Sequence, residues 1–380
     1  MKILIVMGGF FPGQKYGGPP VSVNNFCSLF REDECYIVTK NHDKDESVPY
    51  EGIDSGIWTK RDNCYVKYVS DESYKKSEFE KVILEIKPDV LYLQGLFQSC
   101  VLPCLELAKQ YSLKVVLAPR GELCAGALKK KYKKIPYIVY LRMRKLVRNI
   151  AYQSTSEEET DAIKQYLKAK NNQIYFLTNI PSIPKKEYMR VIKKRGEGKF
   201  VFLSRIHPKK NLISAIDYMK GVQGNVVFDI YGPIEDEEYW KVCKQKINEL
   251  PANIVANYCG LIGHEKVQEI FSRYDAFLFP TFSENYGHVI AEALSVGTVV
   301  IISDQTPWTD VNESKAGWAN SLDNKKGFER AIQTVINWEN SDSIISHQNT
   351  KKYFESKSQL RKLKDEYKKA FDTKYSCKGR

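Results

Sequence analysis

The sequence lacks several features that would place it in common functional classes. It has no apolar run near the ~20 residues that span a bilayer. Its nine cysteines form no Cys-x-x-Cys pair, so a zinc site is not expected. A Gly-x-Gly-x-x-Gly fingerprint is absent, as are zinc-finger, RNP and helix-turn-helix signatures. These absences argue against a membrane-spanning protein, a dinucleotide-dependent enzyme and a nucleic-acid-binding protein.

The charge balance and the cysteines set broader limits. The net charge of +12 fits either a lysine-rich surface or attraction to an anionic partner, which could be nucleic acid, a lipid headgroup or a phosphorylated substrate. The cysteine count is odd and the residues are scattered, which favours free thiols in a reducing compartment. We therefore expect a cytoplasmic protein.

Short apolar runs alternate with amphipathic stretches along the whole chain. The first run, Lys2–Met7, breaks into Gly8 and Gly9 without a cleavage signal, so it predicts a buried strand and not a signal peptide. Alternating strands and helices predict parallel, doubly wound sheets. Strands are predicted at Lys2–Met7, Cys35–Thr39, Tyr65–Val69, Val90–Gln94, Lys114–Ala118, Ala151–Ser154, Phe200–Ser204, Val226–Tyr231, Ile254–Tyr258, Ala276–Pro280 and Val299–Ser303.

The pattern is interrupted between Thr178 and Gly198, where prolines, glycines and lysines indicate an interdomain linker. We therefore predict an α/β protein with an N-terminal domain at 1–180 and a C-terminal domain at 181–355. A C-terminal helix and tail follow at 356–380, and we expect this helix to return to the N-terminal domain. Two such domains would face each other across a cleft at the carboxyl ends of their strands, where ligands bind in this class.

The richest motif is PTFSENYGHVIAEALSVG, which begins at Pro280. It predicts a strand end, a loop with Glu284, and a helix that starts near Gly287 and carries Glu292 about two turns along. The first helical N–H groups, those of His288 and Val289, form an anion site. The alternative is an ordinary helix capped by Ser283 or Asn285, since both residue types cap helices.

A second motif, FLSRIHPKKNL, places Arg205 and Lys210 at a strand end before a helix. Two cations in such a position suit a pyrophosphate. Lys209 competes with Lys210 for this role, and a surface turn with solvated lysines is the alternative.

These motifs resemble the retaining glycosyltransferases of family 4, which have the GT-B fold, and the likeness includes a subgroup that makes bacterial surface polysaccharides. The resemblance implies that Glu284 faces the donor sugar and that Glu292 holds the ribose of a nucleotide. It implies that Arg205 and Lys210 bind the donor diphosphate and stabilise the leaving group, with Gly287, His288 and Val289 beside it. No metal or other cofactor is expected, since the cations replace one; Asp43-x-Asp45 is interpreted as solvated surface and not as a metal motif.

Two loops of the first half extend the resemblance. Gly17 and Gly18, before a proline, resemble the family's first loop, which approaches the donor phosphates and the acceptor. The APRGEL segment has Arg120 and Gly121 where many members have His-Gly, so a histidine role is in doubt there. Arg120 is interpreted either as part of a structural turn or as a contact to the acceptor's phosphate or the donor sugar.

The predicted function is the transfer of a hexose or related sugar, with retention, from a UDP- or GDP-type sugar to a glycan or polyprenyl-diphosphate-linked acceptor. The basic, aromatic stretch Lys129–Ile150 indicates either a peripheral contact with an anionic membrane or a core-packing helix with a basic face. A non-hydrolysing nucleotide-sugar epimerase is the alternative enzyme, and nucleic acid is not an expected partner.

Overall fold

The computed structural model describes residues 1–124, 127–128, 131–184, 186–189 and 192–372. The chain divides into two compact units. The first contains Met1–Ile180 and the C-terminal segment from Leu360, and the second is Pro181–Gln359. The predicted tail after Asp372 lies outside the described residues, as do Lys129 and Lys130 of the basic stretch.

The first unit is built on an eight-stranded sheet of order β3-β4-β2-β1-β5-β6-β7-β8, in which only the β3–β4 pair is antiparallel. Central strands such as β5 are buried at every position, which explains why they read as continuous apolar runs. The strands are β1 Lys2–Val6, β2 Glu34–Lys40, β3 Trp58–Arg61, β4 Cys64–Val69, β5 Val90–Gln94, β6 Lys114–Ala118, β7 Ala151–Ser154 and β8 Ile174–Phe176.

Helices join these strands in the expected alternation. The fifth helix continues as a π-helical turn over Ile163–Leu167. The helices of this part are α1 Gly18–Leu29, α2 Lys76–Ile86, α3 Val101–Gln110, α4 Lys131–Met143 and α5 Glu157–Ala162.

The second unit is an all-parallel six-stranded sheet of order β11-β10-β9-β12-β13-β14. Because parallel strands end at one edge of a sheet, the segments after β9, β10, β12 and β13 meet there. The strands are β9 Glu197–Leu203, β10 Asn225–Tyr231, β11 Ile254–Gly260, β12 Ala276–Phe279, β13 Val299–Ser303 and β14 Gly317–Asn320. The helices are α6 Leu212–Met219, α7 Glu237–Asn248, α8 Val267–Phe271, α9 His288–Ser295, α10 Lys325–Asn337 and α11 Asn340–Ser358.

The last helix, α12 (Leu360–Phe371), packs into the first unit, as predicted. Its buried residues Leu363, Tyr367, Ala370 and Phe371 follow the spacing of one helical face and join the cluster around Phe26. The predicted start at Ser356 was wrong, because 356–358 belong to α11 and the left-handed residue Gln359 (φ 39°) separates the two helices.

The cysteines in the described part of the chain are free thiols. Six of them are buried, while Cys124 is half-buried and Cys259 is exposed. Among the helices that the structure describes, none has both the length and the apolar character needed to cross a bilayer.

Candidate functional site

Lys210 and Glu284 meet at the carboxyl edge of the second sheet. Lys210 ends a short turn after β9, and its ammonium group hydrogen-bonds to the Glu284 carboxylate, which follows β12. Their side chains are only 11% and 14% exposed, and the Lys210 Nζ lies 5.6 Å from the centre of the Phe279 ring. Burial lowers the pKa of Lys210, and Glu284 opposes this effect. The two residues predicted to act on the donor therefore form one ion pair.

The same turn separates the roles of the two neighbouring lysines. The side chain of Lys209 is exposed, while its carbonyl accepts hydrogen bonds from the Phe282 N–H (3.0 Å) and the Thr281 hydroxyl (3.2 Å). Asn211 donates to the Pro280 carbonyl at 2.9 Å. The two loops are thus tied through backbone groups, and Lys210 is the lysine whose side chain reaches Glu284.

Arg205 lies in the same loop but has a different partner. Its Nη1 donates to both carboxylate oxygens of Glu235, at 2.7 and 2.8 Å. Glu235 follows β10, and its N–H donates to the Ile206 carbonyl at 3.2 Å. Glu235 was not predicted, because only the order of strands in the sheet, with β10 next to β9, brings it to Arg205.

Gly287 sets the start of α9. Its φ of 75° lies in the left-handed region, and a Cβ at this position would approach the Ile290 Cδ1 to 2.9 Å. It is the N-cap residue and has no side-chain cap, so the alternative in which Ser283 or Asn285 caps the helix is wrong. His288 and Val289 are the first two helical residues, as predicted, where N–H groups have no acceptor within the helix.

Glu292 lies on the second turn of α9 and is 4% exposed. The Ser182 hydroxyl donates to its Oε1 at 3.0 Å, and the His264 Nδ1 is 3.5 Å from the same oxygen. Burial raises the pKa of Glu292 to about 8, against the opposing effect of Ser182. Glu284 and Glu292 therefore have separate partners, and Ser182 and His264 are site residues that the motif did not reveal.

The first unit positions the glycine-rich loop after β1. Gly17 (φ 72°) precedes α1, which begins at Gly18. The Asp43 carboxylate accepts hydrogen bonds from the N–H groups of Gln14 (2.8 Å) and Lys15 (3.1 Å) and is 9% exposed. The interpretation of Asp43 as solvated surface was therefore wrong, because this carboxylate fixes the loop.

Arg120 and Gly121 follow β6, both with positive φ (58° and 74°). The Arg120 guanidinium donates to Gln94 Oε1 (2.8 and 2.6 Å) and to Asn179 Oδ1 (2.5 Å). The Gly121 N–H donates to Glu159 Oε1 at 2.6 Å. Arg120 is thus part of a structural turn, and these contacts leave its predicted ligand role open.

The basic stretch packs into the core, as one of its two interpretations predicted, and its membrane contact stays a prediction. Ile138, Leu141, Leu146 and Val147 are buried in the core of the first unit. The opposite side of α4 exposes Val139 (41%), Tyr140 (41%) and Met143 (77%) beside several arginines and lysines.

Comparison with known families identifies the class of the second unit. Residues 184–353 match a family model described as "Glycosyl transferases group 1". That range contains Arg205, Lys210, Glu284 and Glu292. The match confirms that the chain carries a glycosyltransferase domain.

Solved structures match over nearly the whole chain. Sucrose-phosphate synthase from Thermosynechococcus elongatus has a TM-score of 0.67 at 13% identity, covering 97% of this chain and 99% of that one. Anabaena HepE, solved in complex with UDP and glucose, also has a TM-score of 0.67 at 13% identity, with 97% and 98% coverage. These likenesses confirm the predicted GT-B fold of two parallel-sheet units.

A curated relative matches a smaller part of the sequence. The GtfA subunit of a UDP-N-acetylglucosamine–peptide N-acetylglucosaminyltransferase from Streptococcus agalactiae is 32% identical over 102 residues, which is 26% of this chain and 19% of that protein. The match therefore spans about a fifth of the relative's length.

Proposed function

We propose that this protein is a retaining glycosyltransferase of family 4 that moves a hexose or related sugar from a nucleoside diphosphate sugar to a glycan or polyprenyl-diphosphate-linked acceptor. The observation that carries the proposal is the Lys210–Glu284 ion pair beside the amino end of α9. A cation, a carboxylate and the first N–H groups of a helix thus occur together within the matched glycosyltransferase domain.

The chemistry requires stabilisation of a leaving diphosphate. Negative charge builds on the leaving group as the bond from the anomeric carbon to oxygen breaks, and fixed cations and N–H dipoles favour that state. Lys210 and Arg205 are the proposed cations, and His288 and Val289 supply the proposed N–H groups. No metal is assigned a role, since the cations take its place.

The carboxylates of the free protein already balance these cations. Glu284 pairs with Lys210 and Glu235 pairs with Arg205. We infer that the donor diphosphate replaces part of each contact, which releases Glu284 to bind the hydroxyls of the transferred sugar. Lone cations at a partly buried edge would otherwise bear a desolvation penalty.

Glu292 is the proposed ribose contact. It lies further along α9 and is held by Ser182, so its carboxyl group is fixed before the nucleotide binds. UDP and GDP sugars both carry a ribose with two free hydroxyls, and the donor is therefore proposed as one of these types. HepE was solved with UDP and glucose, which supports this choice of donor.

The first unit is the proposed acceptor domain, in which Arg120 and Gly121 are the proposed contacts to the acceptor or the donor sugar. Gly17 and Gly18 are proposed to approach the donor. The proposed setting is the synthesis of capsule, O-antigen or exopolysaccharide in the cytoplasm of a bacterium, with peripheral contact at the inner face of the plasma membrane. The exposed Val139, Tyr140 and Met143 among basic residues support the membrane contact.

The deciding experiment compares Glu284→Ala with Glu269→Ala, a carboxylate that is paired with Arg273 on an exposed surface. UDP-glucose, GDP-mannose and related donors are offered with bacterial lipid-linked acceptors. We expect Glu284→Ala to lower kcat/KM by at least about 100-fold, as loss of a transition-state contact does, with an unchanged circular dichroism spectrum. Glu269→Ala should match the unmodified protein.

Two results would overturn the proposal. One is near-normal transfer by Glu284→Ala. The other is conversion of the isolated nucleotide sugar into an epimer without acceptor, which would identify the epimerase. Inversion at the anomeric carbon of the product would remove the retaining assignment alone.

A further inference from the structure

Gln94 presents a buried donor beside Arg120. It is the last residue of β5 and is 3% exposed. Its Oε1 accepts two hydrogen bonds from Arg120, which fixes the orientation of the amide. The Nε2 of the same amide has no hydrogen-bond partner within the described chain. A buried amide N–H without an acceptor is costly, so it indicates that a ligand oxygen or a bridging water completes the contact.

Arg120 adds an uncompensated charge at the same place. Its acceptors are the neutral oxygens of Gln94, Asn179 and Tyr92. Across the residues that the structure describes, no carboxylate forms an ion pair with this guanidinium. Four of its five N–H donors have partners, and one hydrogen on Nη1 is left over. A half-buried cation whose hydrogen-bond partners are all neutral favours an anionic ligand.

A directed chain of hydrogen bonds holds Arg120 from behind. Its Nη2 donates to the Tyr92 hydroxyl (3.4 Å), and Tyr92 donates to Gln153 Oε1 (2.5 Å). Gln153 Nε2 donates to the Tyr367 hydroxyl (2.8 Å), and Tyr367 donates to the Thr178 carbonyl (3.0 Å). Every donor in this chain points the same way, so the bonds polarise one another. The returning helix α12 thereby contributes to the position of a group at the edge of the first sheet.

We infer that Gln94 and Arg120 form an oxyanion subsite that binds a phosphate group. The subsite deepens the proposed function and rests on it, since it gives Arg120 a defined ligand and a neighbouring contact residue. Two sources supply this chemistry: the diphosphate of a lipid-linked acceptor and the diphosphate of the donor.

The first test isolates the subsite with inorganic pyrophosphate. The parent protein carries Arg205→Gln and Lys210→Met, so that the cations of the second unit do not contribute. Gln94→Glu is added to it, which keeps an acceptor for Arg120, replaces the Nε2 donor by an oxygen and neutralises the guanidinium. The matched control is Gln165→Glu, which makes the same charge change at an exposed position of the first unit.

Calorimetric titration should show saturable pyrophosphate binding by the parent protein and by the Gln165→Glu control. Gln94→Glu should weaken it by at least about tenfold, the effect of losing a hydrogen bond to a charged group. The melting temperature of Gln94→Glu should equal or exceed that of the parent, because a new ion pair replaces an unpaired charge. Equal affinity in both variants, or no saturable binding by the parent, would overturn the subsite.

The second test distinguishes the two sources. It compares Gln94→Glu, made as the single change, with the unmodified protein. Farnesyl diphosphate stands for the lipid acceptor and UDP-glucose for the donor. A loss of affinity for farnesyl diphosphate alone assigns the subsite to the acceptor, and a loss for UDP-glucose assigns it to the donor. Unchanged affinity for both overturns the inference.

Failure of the subsite and failure of the proposed function give different results. The pyrophosphate titration does not depend on sugar transfer, so it tests the subsite even in a protein without transferase activity. Active transfer together with unaltered pyrophosphate affinity would remove the subsite and leave the proposed function.

Discussion

The buried carboxyl of Glu292 should make the stability of the second unit depend on pH. Its pKa is raised from the ordinary 4.5 to about 8 by burial. Below pH 4.5 the group is protonated in both the folded and the unfolded chain. As the pH rises, the carboxyl ionises first in the unfolded chain, near pH 4.5. In the folded unit it ionises only near pH 8, because burial penalises the charged form. Glu292 therefore supports stability at low pH, and that support is lost between about pH 4.5 and pH 8.

The magnitude follows from the size of this change in pKa. Each pKa unit corresponds to ~1.4 kcal/mol, so the full change is worth up to about 5 kcal/mol. Tyr286 and His264 lie near this carboxyl. The Tyr286 pKa is itself raised, first by burial and second by Glu292, and His264 lies 3.5 Å from the carboxylate. Protonated His264 favours ionised Glu292, which makes 5 kcal/mol an upper limit.

The measurement compares the protein with Glu292→Gln, which keeps the shape of the side chain and an acceptor for Ser182 but does not titrate. Urea unfolding is followed from pH 5 to pH 9 by tryptophan fluorescence, which reports mainly on the second unit. Four of the five tryptophans lie there, namely Trp240, Trp308, Trp318 and Trp338. The free energy of unfolding of Glu292→Gln, relative to the unmodified protein, should rise by several kcal/mol over this range.

The exposed carboxylate of Glu313 provides the control. Glu313→Gln should give a difference that stays nearly constant from pH 5 to pH 9. Parallel profiles for Glu292→Gln and the unmodified protein would refute the reasoning, as would a difference of the opposite sign. Either result would mean that Glu292 is ionised at neutral pH in the folded chain.

Three further predictions concern the two units. Lys210→Met should lower kcat/KM by at least about 100-fold. Lys209→Met should change kcat/KM by no more than about threefold, because the contacts of Lys209 are made by its backbone. Steady-state kinetics with a fixed acceptor separates the two variants, and equal losses would contradict the assignment. Gly287→Ala should destabilise the second unit by about 1–2 kcal/mol, measured by urea unfolding, because the residue has a positive φ. It should also weaken nucleotide-sugar binding, measured by calorimetry. Unchanged values would show that the helix start does not need glycine. Vesicles with anionic lipid should bind the protein in a cosedimentation assay, and binding should weaken at high salt. Met143→Glu should reduce binding, while the exposed control Met189→Glu should not. Absence of binding at all salt concentrations would favour a water-soluble acceptor.

The sequence predicted the central strands of both sheets within a few residues. Strands such as β5 and β13 are buried at every position, and their continuous apolar runs have no competing interpretation. β3, β8 and β14 were missed because they are short edge strands with half-exposed residues. A strand of three or four residues that is buried on one side only has too few apolar residues for its sequence to indicate a strand.

Site residues within one motif were easier to predict than their partners. Glu284, Gly287 and Glu292 share a strand–loop–helix segment, so their spacing determines their order at the sheet edge. Glu235 and His264 come from other segments, and only the folded chain brings them to Arg205 and Glu292. Chain spacing carries no information about such contacts, which depend on the order of strands in the sheet.

The same limit explains the error at Asp43. A loop of lysines, aspartates and glutamates reads as solvated, and Asp45 agrees with that pattern because it is exposed. Asp43 differs because two backbone N–H groups of the loop after β1 need acceptors. A buried carboxylate with several N–H donors is stable without a cation.

The cations of the two units have different partners, because Arg120 of the first unit contacts neutral oxygens. In the second unit each proposed donor-binding cation has a carboxylate partner, Glu235 or Glu284. In the proposed function a diphosphate displaces these partners, which would offset much of the attraction between cation and phosphate in the ground state. As charge grows on the leaving group, the attraction increases while the displaced carboxylates stay the same. Because the displacement is complete before the reaction begins, its cost weakens donor binding and not the rate of the bound complex, which gains from the increased attraction in the transition state.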